Sequence, residues 1–135
     1  MQLGTLDHVN VRTANLEGMV EWYQRILGMS SGKRPGFSFP GAWMYVGDNP
    51  YLHLVGVDRA LPRDQEGLRL EHFALSASGL ADFLKHLKAE QVDYGLNKVP
   101  DFPIIQVNVW DPDGNHIHID FHTDEAVDVE EAQNL

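Results

Sequence analysis

The chain has 135 residues, a formal net charge of −10 and no cysteine. This length suits a single domain built from small modules, because roughly two thirds of the unfolded surface can be buried at this size. The acidic balance argues against nucleic acid as a partner, since binding it needs a basic face. Without thiolates, any metal must be held by imidazole, carboxylate, amide or water. Residues 1–5 lack a basic segment and no apolar run approaches ~18 residues, so we expect a cytoplasmic protein with no membrane partner.

The first half of the chain predicts a strand, a helix, a short strand and a hairpin, from its apolar spacing and turn residues. The predicted elements are a strand over 5–12, a helix from the N-cap Asn15 to Gly28, a short strand at 36–39, and hairpin strands at 42–47 and 51–55.

The second half repeats this order, which makes the predicted fold α+β with two βαβββ modules. The predicted elements are a strand over 70–77, a helix capped by Ser78, a short strand at 96–99, and hairpin strands at 104–111 and 115–122. We expect the modules to form one curved mixed sheet with a metal-binding trough, as a single domain over 1–135. Its parts are module one at about 5–56, a linker at about 57–69, module two at about 70–122, and an acidic tail at 123–135.

Four histidines recur in pairs at matching places of the two modules. His72 follows His8 by 64 residues (72 − 8), and His118 follows His53 by 65 (118 − 53). Residues two apart in a strand share a face, so the apolar neighbours of each histidine point toward the helix and the imidazoles point away from it. A pseudo-twofold arrangement of the modules would bring the four side chains together. The sequence therefore predicts a divalent metal site of His8, His53, His72 and His118.

These features resemble the vicinal oxygen chelate superfamily, which includes glyoxalase I, bleomycin-resistance proteins and extradiol dioxygenases. The motifs that carry the resemblance are Leu-Asp-His-Val-Asn-Val at 6–11, Glu-Trp-Tyr-Gln-Arg-Ile-Leu-Gly-Met at 21–29, Glu-His-Phe-Ala-Leu at 71–75 and Asp-Pro-Asp-Gly-Asn-His-Ile-His at 111–118. The resemblance covers residues 5 to about 122 and implies the family fold, a homodimer, and metal ligands on the first, fourth, fifth and eighth strands. Those strands carry the four repeated histidines here.

The sequence departs from the pattern of glyoxalase I, which has glutamates on the fourth and eighth strands where this chain has His53 and His118. The carboxylate base of a glyoxalase is therefore absent. We assign proton transfer to His53 or His118, leaving the metal, or to Asp120, which shares the face of His118. Four imidazoles suit zinc, iron(II), nickel or cobalt. A site of His8, His72 and His118 alone would also be complete for a catalytic ion.

Residues outside the histidine set are expected to bind the substrate. The loop 33–41 contains Arg34 and Phe39, and it is either a lid that holds an anionic group or a plain surface loop. Trp43 and Tyr51 are expected to form an aromatic wall for an apolar part of the substrate, a position that core packing explains as well.

Two further histidines and the end of the chain are expected to lie at the surface. His116 and His122 share the face of His118 and could line the rim of the trough, but their places near the strand ends favour the surface. The acidic tail 123–135 is expected to be a frayed end of the chain.

The favoured function is a metal-dependent enzyme of the glyoxalase type, with lyase or isomerase chemistry on a small substrate that chelates the ion through neighbouring oxygens. One alternative is an iron(II) extradiol-type dioxygenase. A second is a metal-free protein that binds or sequesters a small molecule, as in bleomycin resistance. The sequence leaves open whether the histidines of one site come from one chain or from two chains of a homodimer.

Overall fold

The computed structural model describes residues 1–62 and 68–135. The chain divides into two compact units, Met1–Arg63 and Asp64–Leu135. The predicted linker 57–69 spans this boundary, and its residues 63–67 lie outside the described residues. Within its described residues, each unit has one four-stranded mixed sheet and one long helix, which confirms the predicted α+β class. Within the described ranges, no helix is both long and apolar enough to cross a membrane.

The first unit follows the predicted βαβββ order. Its elements are β1 (Val9–Thr13), α1 (Leu16–Arg25), β2 (Ser30–Gly32), β3 (Gly41–Val46) and β4 (Asn49–Gly56). The sheet order is β1-β4-β3-β2, with β1 parallel to β4 and the other pairs antiparallel. Asn15 caps α1 as predicted, because its side-chain oxygen accepts a hydrogen bond of 3.3 Å from the Gly18 amide.

The core of the first unit lies between α1 and one face of its sheet. Met19 and Tyr23 of α1 are fully buried. Leu54 of β4 is fully buried as well, and Leu52 of the same strand is 1% exposed. Because side chains alternate along a strand, these two leucines fix the direction of His53 between them. The imidazole of His53 therefore projects from the face opposite the helix.

The second unit repeats the plan and adds two short helices. Its elements are β5 (His72–Ser76), α2 (Leu80–Ala89), β6 (Gly95–Lys98), β7 (Ile104–Trp110), β8 (His116–His122), a 3-10 helix (Thr123–Asp128) and α3 (Glu130–Gln133). The sheet order is β5-β8-β7-β6, and β5 is parallel to β8. Ile117, Ile119 and Phe121 are buried, which turns His116, His118 and Asp120 to the other face.

The prediction of a short strand at 36–39 is wrong. The strand that pairs antiparallel with β3 at the edge of the first sheet is β2 instead. The strand β2 contains only serine and glycine, so it carries no apolar alternation that a sequence pattern would detect. Gly32 is needed there, since a Cβ at this position would lie 2.6 Å from the Tyr45 ring. The alternating Phe37 and Phe39 belong to a loop, where their rings stack at 4.9 Å.

Two predictions are wrong, the frayed tail and the Ser78 cap of α2, and one contact between the tail and the helix explains both. The N-cap of α2 is Gly79 in a left-handed conformation, and no side chain of the cap residue serves the helix. Glu125 of the 3-10 helix instead accepts hydrogen bonds from the amides of Gly79 and Leu80, at 2.7 and 2.8 Å. Val129 and Ala132 are buried. The acidic tail is therefore a structured part of the second unit.

We expect Glu125→Ala to lower the free energy of unfolding by about 0.5–2 kcal/mol, the range for losing a helix cap. The variant removes both a hydrogen-bond acceptor and a negative charge from the helix N-terminus. Urea unfolding followed by circular dichroism measures the change. Glu125→Gln keeps an acceptor and is the matched control. Equal stability of Glu125→Ala and the parent protein would show that the hydrogen bonds from the helix to Glu125 do not stabilise the folded tail.

Candidate metal centre

In the first unit, His8 and His53 lie side by side on the sheet face opposite the helix. His8 immediately precedes β1, and His53 lies in β4, the strand paired with β1. Their rings stack with centroids 3.9 Å apart and planes 14° apart. Trp43, directly opposite His53 in β3, also stacks on it at 3.9 Å. These contacts leave His53 only 8% exposed.

The second unit holds an equivalent pair. His72 begins β5, and His118 lies in the parallel strand β8. Their rings stack with centroids 3.9 Å apart and planes 12° apart, and His118 is 8% exposed. The repeat seen in the sequence thus extends to the packing of the side chains. Each unit presents one stacked histidine pair on the face that carries no helix.

A carboxylate stands beside the exposed histidine of each pair. Asp7 Oδ2 lies 2.5 Å from Nδ1 of His8, and Glu71 Oε2 contacts Nδ1 of His72 in the same way. A carboxylate at Nδ1 keeps the proton on that nitrogen and directs the lone pair to Nε2, the usual arrangement around a protein-bound metal. The residue before each histidine therefore selects the nitrogen that is free to bind.

Two buried polar atoms on the helix-free sheet faces, one in each unit, have no hydrogen-bond partner among the described residues. They are Nε2 of His53 and Oδ1 of Asp120. An unpaired buried polar atom is costly, so its persistence calls for a partner such as an ion, a water or a substrate. Imidazole nitrogens supported by carboxylates fit a divalent transition metal ion. The residues present therefore suit the metal that the sequence predicts.

Burial lowers the pKa of both shielded histidines. For His53 the largest cause is desolvation, followed by the nearby His8. For His118 it is again desolvation, followed by His72 and His116. Glu71 has its pKa lowered to about 2 by hydrogen bonds from His72 and His116. The buried imidazoles are therefore kept neutral, which is the form that binds metal.

The pKa shifts predict that the metal-free protein loses stability as the pH falls below about 6.5, the ordinary histidine value. The unfolded chain takes up protons on His53 and His118 before the folded chain does, so acid favours unfolding until the lowered folded pKa values are passed. Urea unfolding at a series of pH values measures this slope. The double variant His53→Gln, His118→Gln should flatten it, and an unchanged slope would contradict the assignment.

His116 lies within the histidine cluster of the second unit, so its predicted surface position is wrong. Its side chain is 16% exposed. Nδ1 lies 2.7 Å from Glu71 Oε1, and Nε2 lies 2.9 Å from Asn108 Oδ1. The ring stacks on Trp110 at 4.9 Å. The signal was present in the sequence, since His116 shares the face of His118, whereas His122 on that face is 54% exposed as expected.

The predicted substrate residues of the loop 33–41 contact one another. Arg34 Nη2 donates a hydrogen bond of 3.0 Å to the carbonyl of Phe39. The guanidinium carbon lies 5.0 Å from the ring centroids of both Phe37 and Phe39. Arg34 therefore stabilises the loop 33–41 through contacts within the loop. Tyr51 is half-buried in β4, two residues before His53.

A cleft of about 610 Å³ opens on the first unit, lined by Asn10, Arg12, Phe39, Val55 and Leu61. Asn10 is paired with His53 across β1 and β4, and Val55 follows His53 by two residues, so the cleft borders the histidine face. Arg12 is not among the predicted site residues, although its parity with His8 along the first strand is a signal that would have found it.

The sequence matches the model of the glyoxalase/bleomycin resistance protein/dioxygenase superfamily over residues 5–119. The chain belongs to this superfamily. Glyoxylase I 4 of Arabidopsis thaliana is 26% identical over an alignment of 125 residues, and the match covers 88% of this chain and 71% of that protein. A solved glyoxalase family protein from Bacillus anthracis superposes with a TM-score of 0.74 at 20% identity, over 90% of this chain and 98% of that one. Lactoylglutathione lyase from Agrobacterium tumefaciens gives a TM-score of 0.67 at 16% identity, over 90% and 96% of the two chains.

These findings confirm the predicted family and fold. At such identities the solved structures show only that the superfamily fold is shared. The chemistry of this member must therefore be argued from its own side chains.

Proposed function

We propose that this glyoxalase superfamily protein is a divalent-metal-dependent enzyme with lyase or isomerase chemistry. Its substrate is a small molecule that chelates the ion through neighbouring oxygens. The observation that carries the proposal is the stacked histidine pair on the open face of each sheet, His8 with His53 and His72 with His118. An apolar drug-binding face has no need of paired imidazoles that are held by carboxylates at Nδ1.

In this proposal the four repeated histidines hold the metal, which is zinc, iron(II), nickel or cobalt. The bound ion supplies Lewis acidity toward a substrate carbonyl. Asp7 and Glu71 orient His8 and His72 by holding the proton on Nδ1. His53 is oriented by its stacking on Trp43.

Asp120 is our first choice for the group that moves a proton. It lies two residues beyond His118 on the same face, roughly 7 Å along the strand. Its Oδ1 is buried without a partner among the described residues, and an unpaired carboxylate oxygen is available to accept a proton from a bound substrate. His53 and His118 are the alternatives, each acting when it is not bound to the metal.

The cleft beside His53 is the proposed place for the rest of the substrate. Arg12 and Asn10 offer donors to an anionic or carbonyl group, while Val55 and Leu61 offer apolar contact. Phe39 borders the same cleft, and Arg34 stabilises the position of Phe39 by donating a hydrogen bond to its carbonyl. Trp43 and Tyr51 are proposed to form the aromatic wall near His53.

A homodimer is part of the proposal, and so is a cytoplasmic location. The strands β1 and β5 each lie at the edge of their sheets, and edge strands favour pairing with another strand. The leucines that precede them, Leu6 and Leu70, are 73% and 66% exposed. Sedimentation equilibrium measures the mass. A second copy would supply the partner histidine pair if the four ligands come from two chains.

The test compares protein loaded with each candidate ion against chelator-treated protein, using α-hydroxycarbonyl compounds and thiol adducts of α-ketoaldehydes. We expect metal-dependent isomerisation, with exchange of a substrate carbon-bound hydrogen for deuterium from the solvent. Oxygen uptake with catechols in the iron(II) protein alone would favour the dioxygenase. Binding of a small molecule with equal affinity in loaded and stripped protein, without turnover, would contradict an enzyme.

A further inference from the structure

The second unit brings three histidines together, where the repeat predicts two. His116 is paired with His72 across β5 and β8, and it lies two residues before His118 on the same face. One ligand atom from each of the three side chains lies within 4.8 Å of the others. The ring of His116 meets those of His72 and His118 edge-on, with centroids 5.6 and 4.6 Å away. Its position therefore suits the same ion as the stacked pair.

The first unit has no third histidine at the matching place. Subtracting the 65 residues that separate His118 from His53 places Tyr51 in the position of His116. Trp43 stands opposite His53 in register, whereas Asn108 stands opposite His118. At these two places the first module therefore has aromatic side chains, Tyr51 and Trp43, where the second has His116 and Asn108.

The polar surroundings of the second unit orient its histidines as ligands. The two oxygens of Glu71 contact Nδ1 of His72 and Nδ1 of His116, so one carboxylate directs Nε2 of both rings away from itself. Nε2 of Gln106 lies 3.0 Å from Nδ1 of His118. A half-turn of this amide would present its oxygen to Nδ1 instead, and the two ends of an amide have nearly the same shape. Nε2 of His118 is then free as well.

We propose that the second module by itself forms a three-histidine site for a divalent transition metal ion, with His116 as a ligand beside His72 and His118. The inference rests on the proposed function, since it assigns one more ligand to that metal. Three imidazoles suffice for a tetrahedral ion that keeps one position open. Nε2 of His116, which contacts Asn108 Oδ1 at 2.9 Å, would turn to the ion, while Glu71 would keep its contact with Nδ1.

The test measures cobalt(II) binding by the full chain, through the visible absorption of the ion and the metal content after gel filtration. The double variant His8→Ala, His53→Ala is expected to retain one ion per chain. Adding His116→Ala to that variant is expected to weaken binding by more than about 100-fold, because loss of a group that merely supports a ligand already costs about 10–100-fold. His122→Ala, on the same strand and face, is the matched control and should change nothing. His116→Gln can still reach Glu71 and Asn108 but is a poor ligand, so it separates lost ligation from lost folding.

The outcomes distinguish this inference from the proposed function. If the parent protein binds cobalt and the double variant binds none, the metal site stands and the self-sufficient second module is wrong. Equal affinity with and without His116 in the double-variant background likewise overturns it. If the parent protein binds no ion, both proposals fail together. Retention in the double variant, with loss on His116→Ala and on His116→Gln, establishes the three-histidine site.

Discussion

Replacing His118 with alanine is expected to lower the affinity for a divalent ion by more than about 100-fold. Loss of a group that merely supports a ligand costs about 10–100-fold, so loss of a direct ligand should exceed that range. His118 belongs to the stacked pair of the second unit and is a ligand in both the four-histidine and the three-histidine arrangement. Any metal-dependent turnover should fall with the metal content. Competition with a chromophoric chelator measures the affinity.

His122→Ala is the matched control for this variant. His122 lies on the same strand and face, but its side chain is 54% exposed, and it takes no part in the proposed site. We expect its metal affinity to equal that of the parent protein. Similar losses in both variants would point to damage of β8 rather than removal of a ligand, and full affinity in His118→Ala would contradict the role of His118.

Replacing Ile117 with alanine is expected to lower the free energy of unfolding by about 2–5 kcal/mol, the range for truncating a large buried aliphatic side chain. Ile117 has no exposed surface, and it lies between His116 and His118 on the core side of β8. The variant leaves a cavity under the strand that carries the site. Urea unfolding measures the loss, and Ile117→Val should cost only about 0.5–1.5 kcal/mol.

The Ile117→Ala variant also tests whether metal binding depends on the packing of the core. Ile117 points to the face opposite the histidines, so below its unfolding transition Ile117→Ala should still bind one ion per chain. A loss of metal in fully folded Ile117→Ala would show that the site depends on close packing beneath β8. A loss of less than about 1 kcal/mol would mean that the core collapses into the gap.

Strand periodicity and repetition explain why much of this fold could be predicted from the sequence. Along β8, Ile117 and Ile119 alternate with His118 and Asp120, and a period of two allows only one way to bury the isoleucines. The direction of the four repeated histidines followed from this pattern alone. The Asn15 cap also followed, because its donors are local to the helix.

The features that escaped prediction depend on contacts between residues far apart in the chain. Glu125 caps α2 from 46 residues beyond Gly79, and no local pattern links the two. The strand β2 has only small polar residues, so pairing with β3 alone defines it. His116 has the parity of its neighbours, but its burial depends on Glu71, Asn108 and Trp110, which come from other segments.

The most direct test of divalent metal binding by the repeated histidines is elemental analysis of the protein purified without an affinity tag, before and after exposure to zinc, nickel, cobalt and iron(II). We predict one ion per chain, bound tightly enough to survive gel filtration. Protein that holds none of these ions after every reconstitution would contradict the claim and leave a superfamily fold that serves small-molecule binding without metal.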